Sequence, residues 1–102
     1  MVKLRGVNIF PNALGTILTE NFSELGNEYI CEATRVDNRD DMTVIVETDG
    51  DISQSTESYQ ELLKTRTGVE INVQLVATGE LAALTQIETR QKPIRLLDKR
   101  KD

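Results

Sequence analysis

The usual chemical residues are scarce in this chain. It has no histidine, which removes the commonest general base, the commonest metal ligand and every Ser-His or Cys-His mechanism. It has one cysteine, Cys31, and a zinc site without histidine needs several. Chemistry therefore falls to lysine, arginine, carboxylates and backbone groups.

Lys92 is the first candidate. It sits in "TRQKPIR", between Arg90 and Arg95, with Pro93 directly behind it. The plain reading is a solvated basic stretch that turns extended at the proline. The functional reading is a lysine delivered by a loop to an anionic ligand. Its compact charge on a flexible stem suits a phosphate or carboxylate.

The second candidate is Arg5-Gly6-Val7-Asn8. A bulge or turn between two short strands would explain the glycine by itself. Alternatively, Gly6 lets backbone pass close to a ligand, with Arg5 and Asn8 as polar contacts.

Other groups read more simply. Cys31 alternates within a strand pattern and is expected to be a buried small hydrophobe. The carboxylates of "DNRDD" (Asp37 to Asp41) lack the spacing of a calcium loop and read as a solvated hairpin connection. Lys99-Arg100-Lys101 reads as a frayed end. No Gly-rich phosphate cradle is present.

These residues need elements to place them. Val2 to Phe10 is extended with a glycine interruption. Pro11 suits the first turn of a helix. Leu14, Ile17, Leu18 and Phe22 continue at helical spacing, which predicts a helix over Pro11 to Glu20. Gly15 weakens it mildly. Gly26-Asn27 predicts a turn.

Strands follow over Glu28 to Val36 and Met42 to Glu47. A helix capped by Ser53 or Ser55 comes next, with an apolar stripe at Tyr59, Leu62 and Leu63 and a stop at Gly68. Val69, Ile71, Val73 and Leu75 alternate with polar residues as a half-buried strand. Gly79 to Leu84 could form a helical turn, and the rest reads as an irregular polar tail. The order β-α-β-β-α-β predicts an α+β, ferredoxin-like domain with two helices on one face of a small, mostly antiparallel sheet.

The 102 residues suit one domain with one core, and the net charge of −5 argues against a non-specific nucleic-acid binder. An RNA-binding sheet is further disfavoured because the strands lack base-stacking aromatics. There is no bilayer-length apolar run and no signal-peptide pattern. Together with the single cysteine, this fits a reducing cytoplasm.

Taken together and in order, "RGVNIFP", "YICEATRVDNRDDMTVIVE", "TGVEINVQLV" and "KPIRLLDKR" resemble the carboxy-terminal domain of phenylacetate–coenzyme A ligase, one of the acyl-adenylate-forming enzymes. The resemblance covers nearly the whole chain, and "RGVNIFP" is its most specific part. It implies an aryl acid joined to coenzyme A in two steps, with ATP and magnesium making the acyl-adenylate and the thiol then displacing AMP. It also implies that a small domain rotates between the steps.

By this resemblance, Lys92 matches the lysine that enters the site for adenylation. Arg5, Gly6, Val7 and Asn8 match the segment that faces coenzyme A during thioester formation. The implied partner is an amino-terminal adenylating domain of the same chain, with no nucleic acid and no membrane. A homodimer is one of the states open to the parent. The fragment is expected to be silent alone and to hold no metal.

The sequence departs from the family pattern at three places. Gln91 replaces the usual glycine before the lysine, Gly79 to Arg90 is longer than usual, and Gly15 stands where an acidic residue is common. The rival reading is a free-standing ferredoxin-like regulatory or ligand-binding module.

Overall fold

A computed structural model of the chain describes residues 1–86 and 92–100. Its elements are β1 (Val2–Leu4), β2 (Val7–Ile9), α1 (Pro11–Asn21), β3 (Leu25–Val36), β4 (Arg39–Thr48), α2 (Glu57–Thr67), β5 (Asn72–Ala77), α3 (Ala82–Thr85) and β6 (Leu96–Asp98). The α+β, ferredoxin-like arrangement expected from the sequence is present. The main sheet has the order β5-β4-β3-β6, and β1 and β2 form a separate hairpin.

The centre of the main sheet is the antiparallel β3–β4 pair. Both outer strands run parallel to their neighbours, β5 beside β4 and β6 beside β3. Alternation sends Tyr29, Cys31 and Ala33 of β3, Met42, Val44 and Val46 of β4, and Val73 and Leu75 of β5 into one core. Leu14 and Leu18 of α1 and Tyr59 and Leu63 of α2 enter the same core. The two helices meet edge-to-face, with the Phe22 and Tyr59 rings 4.6 Å apart. On the opposite face Ile30 is fully buried, and α3 packs against β3.

Local chemistry explains the boundaries. Pro11 occupies the start of α1, where its missing N–H leaves no bond unmade. Gly68 ends α2 at φ 83°, and its N–H bonds the Lys64 carbonyl at 2.8 Å. Tight two-residue turns with both φ positive join β1 to β2 at Arg5-Gly6 and β3 to β4 at Asp37-Asn38, the pattern of a type I′ hairpin.

Several expectations need correction. Gly26-Asn27 does not turn the chain; it lies within β3, where the register with β4 shifts between Leu25 and Tyr29. Neither Ser53 nor Ser55 occupies the N-cap position of α2, although the Ser55 hydroxyl accepts the N–H of Glu57, the first residue of the helix, at 3.3 Å. The N-cap position is Thr56, which makes no side-chain capping bond. Ser53 is instead held by Asp51. The half-buried strand begins at Asn72 and not at Val69, and the Glu70 carbonyl is taken by the Arg5 guanidinium at 2.6 Å. The tail is not irregular throughout, since Leu96–Asp98 adds an edge strand to β3. No helix among the described residues is long and apolar enough to cross a membrane.

Candidate functional site

Lys92 stands at an exposed position at the head of the β6 segment. It lines a polar recess with Asn12, Tyr29, Pro93 and Arg95. Asn12 comes from the first turn of α1 and Tyr29 from β3, so three separate parts of the chain converge. Gln91, Arg90 and Lys101, singled out from the sequence, lie outside the described residues.

The floor of this recess is tightly bonded. Arg95 Nη1 donates to Glu28 Oε1 at 2.9 Å and to the Tyr29 carbonyl at 2.8 Å. Its guanidinium lies 4.5 Å from the Tyr29 ring centroid, a cation–π contact. Tyr29 donates its hydroxyl to the Asn12 carbonyl at 3.3 Å. Burial pushes the Tyr29 phenol above its ordinary range, while the Arg95 charge pulls the other way.

The second candidate segment forms the β1–β2 hairpin. Arg5 and Gly6 take φ 48° and 84° at its tip. A Cβ added at Gly6 would meet nothing within 4 Å, so the backbone there faces open space. Asn8 is exposed, whereas Val7 packs against the core. The turn reading of the glycine is therefore correct, and the bulge alternative is not.

Arg5 and Gly6 line a second recess together with Lys3, Arg35, Asn38, Arg39, Asp40 and Arg100. It shares no lining residue with the recess of Lys92. Carboxylates sit among its cations. Asp40 accepts from Arg35 at 2.7 Å and from Arg100 at 3.0 Å. Asp41 lies 3.4 Å from Arg39 and 3.9 Å from Arg5. Arg35, and then Arg100, hold the Asp40 carboxyl below its usual range.

Arg100 is not frayed. It also bonds Asp98 and the Lys3 carbonyl, stitching the end of the described chain to the first hairpin. Its hydrogen bonds pull the Asp98 carboxyl down to about 2.

Cys31 is fully buried, and loss of solvation pushes its thiol up to about 12 despite the nearby Arg95. A thiol that reluctant to ionise is a poor nucleophile at neutral pH. Among the described residues no group of three His, Cys, Asp or Glu side chains is placed to hold a metal ion.

Lys92 stands out in the sequence, whereas Asn12, Tyr29 and Arg95, which line the recess with it, do not. Arg95 was visible only as part of a charge run, although its spacing three residues after Lys92 was in plain view. Tyr29 carried no local signal, because only the parallel register of β6 with β3 brings the two segments side by side.

Comparisons with known proteins bear on the family and the fold. Residues 6–100 match the AMP-binding enzyme C-terminal domain. No curated protein gives a significant match. A crystal structure of a domain of phenylacetate-coenzyme A ligase from Bacteroides vulgatus is similar, with 32% identity and a TM-score of 0.77 over 99% of this chain and 93% of that one.

2-Hydroxyisobutyryl-CoA ligase in complex with 2-HIB-AMP and CoA in the thioesterification state is also similar, at 25% identity and a TM-score of 0.79. An open conformation of that ligase gives 26% identity and a TM-score of 0.71. The chain spans 21% of the length of that larger protein, while 99% of the chain itself is covered in the thioesterification-state structure. From its profile match and its likeness to a domain of almost equal length, the chain belongs to the AMP-binding enzyme C-terminal domain family.

Proposed function

We propose that this is the mobile C-terminal domain of an ATP-dependent, AMP-forming ligase that joins an aryl acid of the phenylacetate class to coenzyme A. The observation that carries the reading is the likeness to the phenylacetate-coenzyme A ligase domain, 32% identical over 99% of the chain. Two separate polar recesses, one lined by Lys92 and one by the Arg5-Gly6 turn, support a domain that offers different surfaces to successive steps.

In the first step a carboxylate oxygen attacks the α-phosphorus of ATP and pyrophosphate leaves. Lys92 holds the acid beside the α-phosphate and offsets charge as the transition state forms. In the second step the thiol of coenzyme A attacks the acyl carbon, loses its proton, and AMP leaves. The Arg5–Asn8 hairpin then lies along the pantetheine arm, with Gly6 leaving room for it. Magnesium accompanies ATP in such reactions, and no residue of this chain is assigned to it.

The test separates the half-reactions in the full-length ligase. Lys92→Ala should cut acid-dependent pyrophosphate exchange by on the order of 10²-fold or more while sparing thioester formation from supplied acyl-adenylate. Equal loss in both would remove the assigned role. Tight binding of a small ligand by the isolated chain would favour the free-standing module instead.

A further inference from the structure

We infer that Arg95 is a positioning residue for Lys92: it clamps the lysine-bearing segment to the sheet and so fixes where the ammonium group is delivered. The inference rests on the adenylation role proposed for Lys92. A lysine side chain is long and flexible, so its usefulness depends on where its backbone is held. Pro93 and Ile94 alone separate Lys92 from Arg95, and Pro93 further restricts the backbone of Lys92.

The clamp has five attachments within a few residues. The Ile94 N–H bonds the Thr85 carbonyl at 2.8 Å, and the Arg95 carbonyl accepts from the Cys31 N–H at 2.8 Å. The Arg95 guanidinium binds Glu28 and the Tyr29 carbonyl. Its Cζ lies over the Tyr29 ring.

Each anchor is itself held. The other carboxylate oxygen of Glu28 pairs with the Thr85 hydroxyl, on the residue whose carbonyl receives Ile94. Tyr29 lies against Gly15, where a Cβ would overlap its ring, and its hydroxyl reaches Asn12. The side chains of Arg95 and Glu28 are only 18% and 16% exposed, so water competes poorly for the pair. Arginine suits the position because its rigid planar fork fixes the directions of its bonds while its Cζ lies over a ring, whereas the compact ammonium of lysine lacks that fork.

The experiment compares Arg95→Ala, Arg95→Lys and Lys92→Ala in the full-length ligase, in both half-reactions. A displacement of about 1 Å can cost on the order of 10²-fold in rate. Arg95→Ala should therefore lower kcat for pyrophosphate exchange by roughly ten- to a hundredfold, with KM for acid and ATP changed less than about twofold. Thioester formation from supplied acyl-adenylate should stay within about twofold of the parent. Arg95→Lys keeps a charge beside Glu28 and should fall between the two.

A merely structural role would lower both half-reactions alike, and that result overturns the clamp. Unchanged adenylation overturns it too. Should Arg95→Ala fail to fold, Arg95→Lys decides by the same split. Lys92→Ala without a selective adenylation defect would overturn the reading of Lys92 itself. A selective Lys92 defect beside inert Arg95 variants would overturn the clamp alone.

Discussion

Gly15 is a poor residue for the interior of a helix by propensity, where alanine is better by about 1 kcal/mol. Its neighbourhood reverses that preference. The Tyr29 ring lies so close that a Cβ at Gly15 would overlap its Cε1, Cζ and Cε2 atoms, and a buried ring is not the end of a flexible side chain. Overpacking of this kind costs about 1–3 kcal/mol, which outweighs the propensity gain. Gly15→Ala is expected to lower the midpoint of chemical unfolding by an amount worth up to about 2 kcal/mol. A raised midpoint would mean that the ring moves aside freely. Glycine at this place in α1 is thus a packing feature, paired with Tyr29 of β3.

At the scale of elements, β6 differs most from the sequence reading. Elements announced by local chemistry were legible. The proline at the start of α1, the glycine at the end of α2 and the polar turn between β3 and β4 each constrain their own backbone. β6 has three residues, Leu96–Asp98, and its partner is β3. Nothing inside "LLD" names that partner. The recess under Lys92 was hidden for the same reason, whereas Lys92 and the Arg5–Asn8 hairpin stood out because glycine, proline and cations mark themselves.

The anchoring of β6 also predicts a pH response. Asp98 is held down to about 2 and Asp40 is lowered, both by hydrogen bonds from arginines. A carboxyl whose folded value is depressed stabilises the fold above its unfolded value near 4. That stabilisation fades as the pH falls toward about 2. Urea midpoints should therefore drop between about pH 4 and pH 2, and Arg100→Ala should flatten the drop by removing a partner common to both carboxyls. Parallel profiles for variant and parent would show that Arg100 does not govern the response. The effect should be modest, because the Asp98 side chain is 42% exposed and water reaches its pair with Arg100.

For the molecule as a whole, the two recesses belong to one unit and share no lining residue, so under the proposed function a rotation of that unit would exchange one for the other at the partner domain's surface. The hairpin tip gives a test that complements the lysine. Gly6 sits at φ 84° with open space where a Cβ would point. Gly6→Ala would carry backbone strain of about 1 kcal/mol without an internal clash. In the full-length ligase, bulk at this position should slow thioester formation by roughly tenfold or more and leave pyrophosphate exchange unchanged. Normal thioester formation in Gly6→Val would sink the idea that this backbone borders the pantetheine path.

The parallel pairing of β6 with β3 carries a consequence for assembly in time. The β3–β4 hairpin closes through a two-residue turn, whereas Cys31 pairs with Leu96 near the other end of the chain. Contacts between distant positions pay their loop-closure entropy before they return any energy, so the local hairpin is expected to precede the edge strand during folding. On a ribosome the order is stricter still, since β3 emerges long before β6 exists. Lys92 is therefore seated among the last parts of the domain, on a sheet already built to receive it.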